Sequence, residues 1–190
     1  MRIGSRRGLP GPKGPGLRDG AACRSTRRSP SRNGSPKTAS DIWALPLDGD
    51  KKPLAVVQTA SDERNGKFSP DGRWIAYQSN ETGRNEIYVQ AFPGPGRSTL
   101  ISTTGGTAPR WRGDGREIFY TAPGERLMAV PVTPQANGVV DPGTPVALFS
   151  MRPNSSWDAS PDGQRFLVNT PLQDAATPPI TVVFNWKPKP

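Results

Sequence analysis

Beyond residue 40 the apolar residues come in short bursts, each ending at a cluster of Gly, Pro, Asn or Asp. Residues 74–78, 117–121 and 165–169 are three such bursts, and within each, neighbouring positions are apolar. Both faces of such a strand are apolar, which suits a strand packed between two layers rather than one with a wet face. A second set, residues 41–47, 86–92 and 126–132, aligns as Ile-Trp-Ala, Ile-Tyr-Val and Leu-Met-Ala behind a charged first residue. A third set follows it at 54–59, 98–103 and 145–150. Pro46 and Pro131 have no ladder N–H, so pairing is expected to end or break near them. Residues 133–144 form a long turn that is expected to protrude.

The bursts recur with their turns. Ser69-Pro70-Asp71-Gly72, Arg112-Gly113-Asp114-Gly115 and Ser160-Pro161-Asp162-Gly163 each precede a member of the first set, with the Asp-Gly pairs 43 and 48 residues apart. Pro presets its φ, Asp bonds its own backbone, and Gly accepts a positive φ, so each is a hairpin turn. Asp71, Gly72, Asp114, Gly115, Asp162 and Gly163 therefore read as structural turn residues. A period of about 40–45 residues is that of four-stranded propeller blades. With strands lettered A to D, the chain reads C-D, A-B-C-D, A-B-C-D, A-B-C, ending on a C strand at residues 180–186. The expected fold is all-β: a partial β-propeller of about three and a half four-stranded antiparallel blades over residues 41–190. Strand spacing alone would also permit a two-sheet sandwich.

Residues 1–40 differ in kind. They hold ten Lys/Arg against one acid, Asp19, and almost no large apolar residues. Such a segment buries too little surface to offset its ordering entropy, so a disordered basic tail without strands is expected. The rest of the chain carries fifteen basic and fifteen acidic residues, so the net charge of +9 lies entirely in the tail. The tail is expected to bind nucleic acid weakly and without sequence preference. No run approaches the roughly 18 apolar residues of a membrane span, and no signal peptide is read.

Catalytic chemistry finds little to use. There is no histidine, which excludes Ser-His-Asp and Cys-His catalysis in their usual forms. The single cysteine, Cys23, lies in the tail and offers no intramolecular disulfide. No metal site, cofactor or catalytic residue is predicted, and no kinase signature is present. The one candidate binding patch is Arg110, Trp111 and Arg112, on a predicted innermost strand, since Arg and Trp are favoured at binding centres.

Residues 68–77 and 111–120, with Ile-Tyr-Val downstream, resemble the TolB-type, WD-like propeller repeat. Residues 160–169 and 179–183 resemble the C-terminal end of propellers attached to bacterial serine/threonine kinases. Two positions depart from the pattern: Gly113 stands where the motif has proline, and Ala159 where it has an aromatic. The resemblance implies a non-enzymatic binding or scaffold module for a protein or peptide partner. Its alternative is the sensory propeller of a kinase or the gating propeller of a prolyl-oligopeptidase-type peptidase. A periplasmic or extracytoplasmic setting is also implied by the resemblance. A register that opens on a C strand predicts an incomplete ring: a fragment of a longer product, or copies that associate through open blade edges.

Overall fold

The computed structural model describes residues 22–27, 40–47, 50–94 and 96–171, with backbone pairing alone for 22–27. The strands are β1 (Ala22–Arg27), β2 (Ser40–Leu45), β3 (Leu54–Val57), β4 (Glu63–Phe68), β5 (Trp74–Ser79), β6 (Glu86–Ala91) and β7 (Thr99–Leu100). They continue with β8 (Thr107–Trp111), β9 (Glu117–Ala122), β10 (Arg126–Pro134), β11 (Val140–Pro142), β12 (Val146–Ser150), β13 (Ser156–Ala159) and β14 (Phe166–Asn169). The described residues contain no helix, so none is long and apolar enough to cross a membrane.

Four antiparallel sheets follow one another along the chain. Sheet I is β1-β2-β3, sheet II is β4-β5-β6-β7, sheet III is β8-β9-β10 with β11 and β12 both paired to β10, and sheet IV is β13-β14. The strands fall where the bursts lie. The reason is visible in β5, where alternate side chains serve opposite faces. Ile75 and Tyr77 pack with Ile42, Ala44 and Val57 of sheet I, while Trp74 and Ala76 pack with Ile118, Tyr120 and Val130 of sheet III. β9 does the same, giving Ile118 and Tyr120 to sheet II and Phe119 to the core that Trp157 of sheet IV completes.

Three features depart from the sequence reading. Residues 22–27, expected in a strandless tail, pair with β2 from Ala22↔Leu45 to Arg27↔Ser40. They take the place beside β2 that β5 takes beside β6. Residues 133–144 are not simply a protruding turn. β10 runs on to Pro134 and pairs with β11, which places Val140 in the core. Pro131 ends the ladder with β9 without ending the strand, because its carbonyl accepts from Gly143 N at 2.8 Å. The remainder of the tail and the strand expected at residues 180–186 lie outside the described residues.

Candidate functional site

The three Asp-Gly turns lie at one end of the strands. Gly72 N donates to Ser69 O at 2.9 Å, Gly115 N to Arg112 O at 2.9 Å and Gly163 N to Ser160 O at 2.8 Å. The glycines have φ of 68°, 71° and 69°, where a side chain strains the backbone. In each, the aspartate accepts from the amide two residues on: Asp71 from Arg73 N, Asp114 from Arg116 N and Asp162 from Gln164 N. In the first and third turns the Ser69 and Ser160 hydroxyls also donate to that aspartate.

The second turn is braced differently. Arg112 Nε and Nη2 grip Asp114 at 2.8 and 2.7 Å, and Nη1 reaches Glu117 at 2.8 Å. The Arg112 hydrogen bond, helped by Arg116 N, holds the Asp114 carboxyl down at about 2. Ser160 and Gln164 N likewise hold Asp162 below the usual carboxylate range. The turns also stack. Gly113 N donates to Pro161 O of the next turn at 2.8 Å, and a Cβ at residue 113 would stand 2.7 Å from that oxygen. This explains the missing motif proline, since a ring there would remove the donor and collide with its acceptor.

Arg110, Trp111 and Arg112 do not converge on one patch. Trp111 Nε1 crosses to Lys67 O of sheet II at 3.0 Å. Arg110 turns the other way, lying 5.7 Å over the Trp157 ring and 3.6 Å from Asp158 of sheet IV. Arg112 folds back on its own turn. Two of the three tie neighbouring sheets together. Trp157, which donates to Thr121 Oγ1 at 2.8 Å, stands in for the aromatic that Ala159 lacks.

The opposite end of the strands carries an open cleft of about 310 Å3 between sheets II and III. Arg84, Asn85, Thr107, Thr121 and Glu125 frame it, with Gly105 and Gly106 in its wall. Behind that wall Glu86 is buried at the head of β6. Its carboxylate accepts from Arg84 Nε at 2.6 Å, from Gly105 N at 2.9 Å and from Ser102 Oγ. Arg84 also reaches Thr103 O at 3.0 Å, and Ser102 Oγ accepts from Ile87 N at 2.8 Å. With these donors in place Glu86 is an anchor for the loops, since a buried carboxylate needs such partners. Gly106 belongs to the same design: a Cβ there would stand 2.7 Å from Ile87 Cγ1. The cleft therefore offers a fixed floor with charges of both signs at its rim, and turn backbone at Gly124 and Glu125, both at positive φ. The sequence does carry a signal for Glu86: a charged residue heads an otherwise apolar strand, as Asp41 does in the aligned strand. A scan of protein-family models returns no match to the chain, and a search of curated proteins finds none either.

Proposed function

We propose that this chain is a non-enzymatic binding or scaffold module, an arc of TolB-type β-propeller blades that receives an extended protein or peptide segment at the loop end bearing the cleft. One observation carries the reading. In sheets II and III the faces of β5, β6 and β9 are consumed in packing sheet on sheet, so around these strands the loops and the cleft they frame are the surface left for a partner. The Asp-Gly end is occupied by its own turn-to-turn contacts. At the cleft, Arg84 and Glu125 supply opposite charges over a floor already satisfied in hydrogen bonds, the chemistry that orients a polar backbone.

Selection of random peptides displayed on phage, against the immobilised full chain, tests this. The expected result is a family of peptides whose binding is weakened by Glu125→Lys, which should melt as the parent does, and by Arg84→Met, which should also melt earlier because it takes a donor from buried Glu86. No enrichment, or peptides indifferent to both substitutions, defeats the reading.

A further inference from the structure

Asparagine followed by glycine is a chemically weak pair, because the glycine amide can attack the asparagine side chain and has no Cβ to shield it. The described residues hold two such pairs, Asn65-Gly66 in β4 and Asn137-Gly138 at the tip of the β10–β11 hairpin. A third, at residues 33–34, lies outside them. Asn65 and Asn137 are both exposed. They differ in what the backbone must give up to bring the amide onto the side chain.

Asn65 sits inside the register break of β4, between the pairs Arg64↔Gln78 and Lys67↔Ala76. Its Nδ2 donates to Gln78 Oε1 at 3.1 Å, so the group that would leave is held. Turning the backbone there pulls on a strand paired above and below the break. Asn137 is held by less. Gly138 N donates to Gln135 O at 3.2 Å and Val139 N to Asn137 Oδ1 at 3.3 Å, both long for their kind. A Cβ at residue 138 would meet nothing within 4 Å, so the tip has room to turn. The bond from Gln135 N to Val139 O, at 2.9 Å, closes the loop behind it.

We infer that Asn137 is a site of spontaneous covalent modification in the folded chain, and that the fold spares Asn65. Gly138 N forms a bond to Asn137 Cγ, and the bond from Cγ to Nδ2 breaks. The carboxamide nitrogen leaves as ammonia, taking the proton lost from the Gly138 amide. Water then opens the cyclic imide at either carbonyl, which leaves aspartate or isoaspartate at residue 137. Either product places a negative charge at the tip. Isoaspartate also lengthens the backbone inside the loop that the Gln135 and Val139 bond closes. That loop leads into β11, whose Val140 is seated with Val132 against Ile87 and Ile101 of sheet II. Modification at residue 137 therefore loosens the arm by which sheet III grips sheet II. The inference concerns this hairpin and does not depend on ring closure or on the proposed partner.

Peptide mapping tests it. The full chain is incubated in mildly alkaline buffer, both folded and unfolded in urea, then digested in acid. Mass spectrometry follows the conversion of each asparagine to aspartate or isoaspartate. In the folded chain Asn137 should convert about tenfold or more faster than Asn65, because local opening is easier at the hairpin tip than inside β4. In urea the two rates should come together, since both are Asn-Gly pairs. Hydrogen exchange is the second readout: in the isoaspartyl form the Gln135 amide should exchange faster than in the parent. Equal rates at Asn65 and Asn137 in the folded chain, or an intact Asn137, overturn the inference. A rate gap that persists in urea also overturns it, since the fold is then not the cause. Unchanged exchange at Gln135 would show that the arm is not loosened.

Discussion

The interface between sheets II and III and the interface between sheets III and IV are made by the same turns and the same alternation, yet they are filled differently. The first closes over eleven buried residues, from Trp74 to Val140. The second buries Phe119, Leu127, Ala129 and Trp157, and leaves Val146 exposed and Phe149 partly so, with its ring edge-on to Phe166. Turn chemistry is local and repeats wherever Asp-Gly recurs. Burial is collective and depends on how many strands the next sheet brings. The arginine over the Trp157 ring and the Trp157 bond to Thr121 partly replace packing with polar contacts in the thinner interface.

The largest effect should come from emptying the full interface. Ile118 is completely buried, and Ile118→Ala should destabilise by about 2–5 kcal/mol, read from the urea midpoint. Leu167 occupies the position in β14 that Phe119 occupies in β9, but is 78% exposed. Leu167→Ala should therefore stay within about 0.5 kcal/mol of the parent. If the two substitutions cost alike, the outer face of sheet IV is covered and the contrast between the interfaces collapses.

The turns sharpen the comparison at their stacked end. Gly113→Pro restores the repeat's own residue, yet should destabilise by about 1–3 kcal/mol, because the Pro161 carbonyl stands in its way. At Gly115 an added Cβ would meet only Pro70 Cδ at 3.7 Å, so Gly115→Ala should carry only the left-handed backbone term of about 1–2 kcal/mol. Equal stability of Gly113→Pro and the parent, by thermal melting, would mean the second and third turns do not lean on one another.

These turns also mark where the sequence is informative. Strand positions are legible because period-two burial is written in neighbouring residues, as in Trp74-Ile75-Ala76-Tyr77. Gly113 is not legible as a necessity, because its reason lies 48 residues away at Pro161. β1 is not legible either: Ala22-Cys23-Arg24-Ser25-Thr26-Arg27 has no apolar face, and its order comes from the edge of β2. Arg110, Trp111 and Arg112 look like one patch in the chain, but successive residues of a strand point to opposite sides and so reach different sheets. The cleft was missed because Arg84, Gly105 and Glu125 belong to three separate loops.

The two heads of strands β4 and β6 differ in a way that pH can read. Glu86 has three donors, whereas Glu63 is fully buried with Thr59 bonded to one oxygen and nothing bonded to the other. Burial raises the Glu63 carboxyl above its ordinary 4.5, an effect Thr59 only partly offsets. The unfolded chain then ionises first as pH rises, so stability should decline from about pH 4.5 upward until folded Glu63 ionises too. Asp114 and Asp162 act in the opposite sense: what they contribute is present above pH 3.8 and is lost as pH falls through their lowered folded values, about 2 for Asp114. Urea midpoints from pH 2 to 8 should show a maximum in the mildly acid range. Glu63→Gln should flatten the decline above it and leave the acid limb alone. An unchanged slope above pH 4.5 would mean Glu63 is not the group responsible.

The smallest effect separates two strands that are otherwise alike. β4 and β8 lie side by side at the same edge of their sheets, and each breaks register against its partner, between Arg64 and Lys67 and between Thr107 and Arg110. Within each break one residue is left-handed: Asn65 at φ 55° and Ala108 at φ 53°. Asn is among the few side chains that tolerate this region, and Asn65 also donates to Gln78 Oε1 at 3.1 Å across the bulge. Ala108 has neither advantage. Its methyl group carries the left-handed penalty of about 1–2 kcal/mol, while glycine would add about 0.5–1 kcal/mol of backbone entropy loss. Ala108→Gly should therefore stabilise the chain by about 0.5–1 kcal/mol, and Asn65→Ala should destabilise it by a similar amount or more through the lost bond to Gln78. Thermal melts of the two single variants and the double variant suffice to check this. Stabilisation by Ala108→Gly would show that the bulge in β8 is held by the pairing of β8 with β9 and by the Trp111 contact to Lys67, against the preference of its own residue. Destabilisation would show that the methyl group packs, and would place β8 closer to its neighbours than its half-buried surface indicates.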